Sequence, residues 1–134
     1  MMKHFLALLR DRSGLGAVEF ALVCPVLFLF IIGTAELGTL FFANAGLRNS
    51  VAEGARVAGV YPRPTDAVIK ARMADRRFGL KAQYLGTPVI TTGQDNGVDY
   101  INISLTYQVP LDFVFVTVPP VTLTKSRRVY IYPA

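Results

Sequence analysis

The 134-residue chain has no tryptophan, one cysteine, one histidine and only 17 percent charged residues, against roughly 25 percent in an average soluble domain. The lone Cys24 excludes an internal disulfide framework, and one cysteine with one histidine excludes the common zinc spacings. C-x-x-C, H-E-x-x-H, phosphate-loop and G-x-G-x-x-G patterns are missing, so neither a metal nor a nucleotide cofactor is expected. With no histidine after His4, no serine in a nucleophile context and no clustered acidic pair, an enzyme is not expected and no catalytic residue is assigned. Fourteen Lys+Arg against nine Asp+Glu give +5, too small a bias for a nucleic-acid partner. Hydrophobic residues are plentiful, at 52 percent with a mean hydropathy of +0.41. The length allows one domain and rules out a large multidomain enzyme.

The hydrophobicity is concentrated. Phe20 to Phe42 reads FALVCPVLFLFIIGTAELGTLFF, 23 residues with one charge, Glu36. As a helix this run is about 34 Å long, enough to cross a hydrocarbon core of roughly 30 Å. The alternative, a buried core helix, would need the half-polar remainder of the chain to cover it on every face. Ahead of it lies MMKHFLALLRDRSG, where Lys3, Arg10 and Arg12 outnumber Asp11. Positive charge before an apolar span is the cytoplasmic signature of an exported or anchored chain. Arg48, Arg56 and Arg63 follow the run, so charge alone does not orient it.

Beyond Phe42, Leu47, Val51, Ala55 and Ala58 share one helical face, and the spacing predicts a single helix from Leu15 to Ala58, about 66 Å long. Glu53 and Arg56 stand three apart, placed for a weak surface pair. The small residues between Ala43 and Gly59 suit close approach by another helix or sheet, or only reflect a high alanine content. Pro62 and Pro64 end the helix. Thr65 has the chemistry of an N-cap for a short amphipathic helix running to Phe78, with Asp66 in its first turn, Arg76 and Arg77 in its last, and Gly79 as its stop. Val68, Ile69, Arg72, Met73 and Phe78 form its modest stripe. Its basic end is either a solvated face favoured by the helix dipole or a contact to anionic headgroups or a partner.

From Pro88 the period changes from that of a helix to that of a strand. Val89–Thr92 reads as a short strand, and the GQDNG of residues 93–97 as a turn. Ile101, Ile103, Leu105, Tyr107 and Val109 then alternate with Asn102, Ser104, Thr106 and Gln108, the pattern of a half-buried antiparallel strand. Leu111–Val118 reads as an apolar strand fenced by Pro110 and Pro119–Pro120, and Val121–Tyr132 as the last strand. The fold class is therefore α+β, a long helix and a short one followed by an antiparallel β-meander of three or four strands. So small a sheet is marginal alone and must pack against the outer half of the long helix. Tyr100, Tyr107, Tyr130 and Tyr132 either expose a binding face or pack on the sheet.

The most informative residues join the basic leader to the apolar run: Gly14, then Glu19 five residues on, then Phe20 directly after it. This junction resembles a class III prepilin signal. The longer stretch GAVEFALVCPVLFLFIIGTAELG, followed by AEGARVAG, resembles the TadE family of pseudopilins from tight adherence (Flp-type) pilus systems. The resemblance covers roughly Arg12 to Gly59; beyond it, only the pilin-like architecture matches. It implies cleavage by a membrane-embedded prepilin peptidase between Gly14 and Leu15, with Glu19 and Phe20 as recognition and assembly residues. The implied partners are that peptidase, a major pilin, other minor pseudopilins, the pilus assembly platform and membrane lipid. The implied location is the bacterial inner membrane, single-pass with an exported C-terminal domain, or the extracellular pilus itself.

Cleavage would leave an ammonium on Leu15, one helical turn and about 6 Å from Glu19. A carboxylate near hydrocarbon needs a partner, which this ammonium could be, on its own or an adjacent subunit; otherwise Glu19 is a solvated charge at a helix N-terminus. Glu36, about 32 Å along the helix, falls near the outer headgroups, hydrated or in an assembly contact. Pro25 should kink or open the helix at the Ala21 carbonyl. Cys24 packs or faces lipid.

These readings divide the chain into a leader (1–14), a membrane segment (15–42), an exported continuation of the helix (43–61) and a C-terminal α+β domain (62–134). The rival is a β-rich binding module, unrelated to pili, that is either anchored uncut or secreted after cleavage at the A-x-A of Ala43, Asn44 and Ala45. Its apolar run is long for a secretory signal.

Overall fold

The structure, a computed structural model, describes residues 14–113 and 116–131. The leader before Gly14, the tip of the 111–118 segment and Tyr132 lie outside the described residues. Helix α1 spans Leu15–Ala58 and is followed by α2 (Asp66–Asp75), a 3-10 turn (Ala82–Tyr84) and strands β1 (Val89–Asp95), β2 (Val98–Val109), β3 (Asp112–Phe113), β4 (Val116–Thr117) and β5 (Val121–Ile131). The chain divides into two compact units at Ala35 and Glu36.

In the first unit the helix is bare. Leu15, Val18, Phe20, Leu22 and the large apolar residues through Ile31 are exposed, and the most apolar window of α1, with a mean hydropathy of 2.5, has none of its residues buried. This is a helix long and apolar enough to cross a membrane. Thr34 Oγ1 donates to the Phe30 carbonyl at 2.8 Å, which satisfies a polar group inside the segment.

In the second unit the outer part of α1 is half of a core. Leu47, Val51, Ala55 and Ala58 form its buried stripe, as the spacing predicts, Ala43 extends it by a turn, and together they meet Ile69 and Met73 of α2 and the inward face of β2. On that face Ile101, Ile103, Leu105, Tyr107 and Val109 are only 0 to 3 percent exposed. Each large side chain so buried contributes about 1.5–3 kcal/mol. The sheet order is β1-β2-β5, all antiparallel. Its outward face is polar, with Thr106 and Thr124 hydroxyls 3.1 Å apart across the strands.

Two glycines explain the small-residue stretch of α1 better than alanine content does. A Cβ on Gly46 would collide with the Phe78 carbonyl, and one on Gly54 would stand 2.7 Å from Met73 Cγ. Helix α1 closes with Gly59 and Val60 amides bonded to the Ala55 and Val57 carbonyls, after which the chain turns through a cis Tyr61–Pro62 peptide.

Three expected boundaries move. The short helix ends at Asp75 instead of running to Phe78, because α1 takes over its last carbonyls: Ser50 Oγ donates to Met73 O at 2.8 Å and Asn49 Nδ2 to Arg76 O at 2.7 Å. Its buried stripe narrows to Ile69 and Met73; Val68 and Phe78 are exposed. Thr65 has the extended backbone of an N-cap, yet its side chain makes no cap bond. Gly79, at φ +64°, serves the loop beyond the helix, where it lies against the Phe42 ring. Strand β1 continues to Asp95, since Gly93 leaves room for the ring of Tyr100 opposite it. The turn shrinks to Asn96 and Gly97, both at positive φ, a primed hairpin turn. Finally, the apolar segment 111–118 is no strand of the main sheet. It pairs with itself as β3 and β4, because Val109 already pairs with Val121 and the flanking prolines cannot donate to the ladder.

Gly46→Ala should lower the stability of the detergent-solubilised chain by about 1–3 kcal/mol in thermal unfolding, because the obstacle is backbone. Gly54→Ala should lower it by less, since flexible Met73 can move aside. Equal losses would contradict this account of the packing.

Candidate assembly and processing site

Helix α1 begins at Leu15, and its first described bond runs from the Val18 amide to the Gly14 carbonyl at 3.2 Å. Gly14 therefore sits at the N-cap position, where its carbonyl already belongs to the helix. Among the described residues, nothing beyond its chain neighbours comes within 4 Å of where a Cβ on Gly14 would stand. The same open space surrounds Gly16, Gly33 and Gly38. The packing that demands glycine at 46 and 54 makes no such demand at 14.

Leu15 and Glu19 are four residues apart on an unbroken helix and thus share a face. Leu15 is 68 percent and Phe20 66 percent exposed, so the residues singled out by the motif lie on the helix surface. The Leu15 nitrogen here is a peptide amide, and among the described residues Glu19 has no cation within ion-pair distance. Pro25 lies inside α1, whose helical assignment runs through it without interruption. The Ala21 carbonyl lacks the amide that any other residue at 25 would supply. Glu36 is the first residue of the second unit and is partly buried.

At the far end of the motif-bearing stretch, Arg56 clasps Glu53 through two hydrogen bonds, Nε to Oε2 at 2.9 Å and Nη2 to Oε1 at 2.7 Å. That hydrogen bonding holds the Glu53 carboxyl below the usual carboxylate range, against a smaller opposing effect of burial. The pair that the spacing suggested is thus made, as a bidentate fork.

Two clusters have no counterpart in the sequence reading. Arg128 stacks 4.1 Å over the Tyr100 ring and pairs with Asp95 at 3.1 Å, while the Tyr130 hydroxyl donates to the same carboxylate at 3.1 Å. Among the tyrosines, Tyr107 is buried and Tyr130 half-exposed within this cluster, so those with described side chains serve the sheet. The second cluster is the loop after α2, where Phe78 packs on Phe42 with ring centroids 5.4 Å apart. Strand register and loop path decide both, and neither has a local sequence signal.

Residues 14–56 match the family model of TadE-like proteins, a stretch running from Gly14 through Arg56. No curated protein and no solved structure matches the chain.

The Glu53 contribution to stability is present above the carboxyl's unfolded value and is lost as pH falls through its lowered folded value. Carbon-detected titration of Glu53 should give a midpoint below that of an ordinary glutamate, and Arg56→Gln should raise it; an unmoved midpoint would refute the assignment of cause.

Proposed function

We propose that this TadE-like chain is a minor pseudopilin, cut by a prepilin peptidase after Gly14 and active in assembly of a tight adherence pilus. Its TadE-like stretch ties it to those systems, and the apolar stem suits a membrane anchor. The observation that carries the finer reading is a coincidence at one residue. The family match starts at Gly14, the helix starts directly after it, and among the described residues nothing packed around Gly14 calls for glycine. A peptidase that must reach the backbone does call for one.

On this reading cleavage converts the Leu15 amide into an ammonium, one turn from Glu19. Inside or at the edge of hydrocarbon that ammonium is the natural counter-ion for the Glu19 carboxylate, within one subunit or between neighbours leaving the bilayer. Phe20 and the exposed apolar residues after it offer the surface on which stems pack in lipid or in a fibre. Glu36 and Pro25 are secondary candidates, for an interfacial contact and a local opening of the stem. The protein works by position and needs no chemistry of its own. It sits in the bacterial inner membrane with residues 62–134 exported.

Cleavage at the rival A-x-A site would start the product at Gly46, inside the continuous helix and within the core, since Ala43, Gly46 and Leu47 are all buried. A secreted domain would thereby lose the Ala43 contact and the helical turn that carries it.

N-terminal sequencing of the membrane-extracted protein should give Leu15, and Gly46 would overturn the proposal. Gly14→Leu should leave the leader attached, visible as a larger precursor in the membrane. Glu19→Ala should be cut normally yet lower piliation by about tenfold, what roughly 1.4 kcal/mol of lost pairing would produce; wild-type piliation would remove the ion pair from the account.

A further inference from the structure

Residues 76 to 79 descend along α1 toward the end of its apolar run. Arg76 is held by Asn49 at 2.7 Å, the Phe78 carbonyl lies against Gly46, and Gly79 lies against the Phe42 ring. From Asn49 to Phe42 is seven residues, about 10 Å of helix. Phe42 closes the apolar run of the stem, whose one charge is Glu36, so the loop brings a second aromatic, Phe78, to the outer end of that run. Phe42 and Phe78 are 56 and 42 percent exposed, although they touch each other. Exposed aromatics at that level are a mark of a membrane interface.

The sequence that leads to them is mostly basic. Arg72, Arg76, Arg77 and Lys81 flank a single acid, Asp75, along the chain, and exposed Arg48 stands on α1 between Leu47 and Asn49. Glu53, a carboxylate of α1, is bonded by Arg56, with Arg76 and Arg72 close enough to add a weaker attraction. A headgroup layer is roughly 5–8 Å deep on each face of a bilayer, and long basic side chains whose backbone stands about 10 Å from Phe42 can extend back toward it to reach the phosphates.

We propose that Phe42 and Phe78, with Arg48, Arg76, Arg77 and Lys81, form a collar that docks the exported domain onto an anionic lipid headgroup surface. The aromatic pair enters the interface while the cations meet lipid phosphates, fixing the domain against the membrane before the subunit is extracted. The collar rests on the membrane reading of the stem and is independent of where the leader is cut.

The test uses the full chain with Cys24→Ala and a fluorophore on Gln83→Cys, an exposed position two residues beyond Lys81. It is reconstituted into phosphatidylcholine vesicles with or without phosphatidylglycerol, each carrying a headgroup-attached quencher. Flotation with the vesicles reports the stem; quenching reports the collar. Quenching should be strong only with phosphatidylglycerol, should fall at high salt, and should drop in an R76Q/R77Q/K81Q variant by about fivefold or more, the effect of losing even one basic contact to such a surface. Lys81→Glu alone should act in the same direction. Equal quenching in both lipids, or in the triple variant, overturns the proposal. So does a triple variant that keeps its quenching but loses pilus assembly, which would assign the basic face to a protein partner. Failure to float would overturn the membrane stem itself, and the collar with it.

Discussion

The sheet of this domain has one apolar face, and α1 and α2 cover it, with Leu80, Tyr84 and Leu85 packed beside them. Three strands with a single hydrophobic side are too few to stand alone, so Ile101, Ile103, Leu105, Tyr107 and Val109 need the stripe of Ala43, Leu47, Val51, Ala55 and Ala58. The stripe is built mostly of small side chains, which lets a second layer come close. Where even alanine would be too large, at Gly46 and Gly54, the neighbouring chain fills the space with a backbone carbonyl and with Met73. The helix that carries the membrane-length apolar segment therefore also supplies one side of the core.

That double use shapes the functional reading. Cutting α1 anywhere beyond Phe42 would damage the domain, whereas a cut after Gly14 leaves the whole of α1 and the second unit in one piece. The two sets of glycines show the contrast. Gly46 and Gly54 answer to packing, while Gly14, at a helix start, meets no such packing among the described residues. A residue that the fold does not explain is the natural place to look for an external demand, which a peptidase supplies. The collar near Phe42 extends the same logic to the boundary between the two uses of the helix.

Features with a strong period were legible before the fold was known. The limits of α1, the alternation of β2 and the Glu53–Arg56 pair all follow from spacing within one element. What was not legible depended on contacts between elements. Nothing in the sequence of α2 announces that Asn49 and Ser50 will take its terminal carbonyls and stop it at Asp75. The extension of β1 through Gly93 depends on the register that sets it opposite Tyr100, and the self-pairing of residues 112–117 on the partner that Val109 has already taken. The candidate site was legible for a different reason: Gly14, Glu19 and Phe20 form a local motif read by spacing alone. The basic loop was seen as the end of a helix and becomes a collar only when its path against α1 is known.

The central claim is that the outer part of α1 and the sheet are one cooperative unit while the same helix continues into the membrane segment. Amide hydrogen exchange on the full chain in vesicles tests this most directly. Residues 47–58 of α1 and 101–109 of β2 should exchange with one common opening free energy, with the amides of residues 22–38 slower than either because lipid shields them from water. A helix that stayed protected from 47 to 58 while the strands exchanged freely would contradict the account.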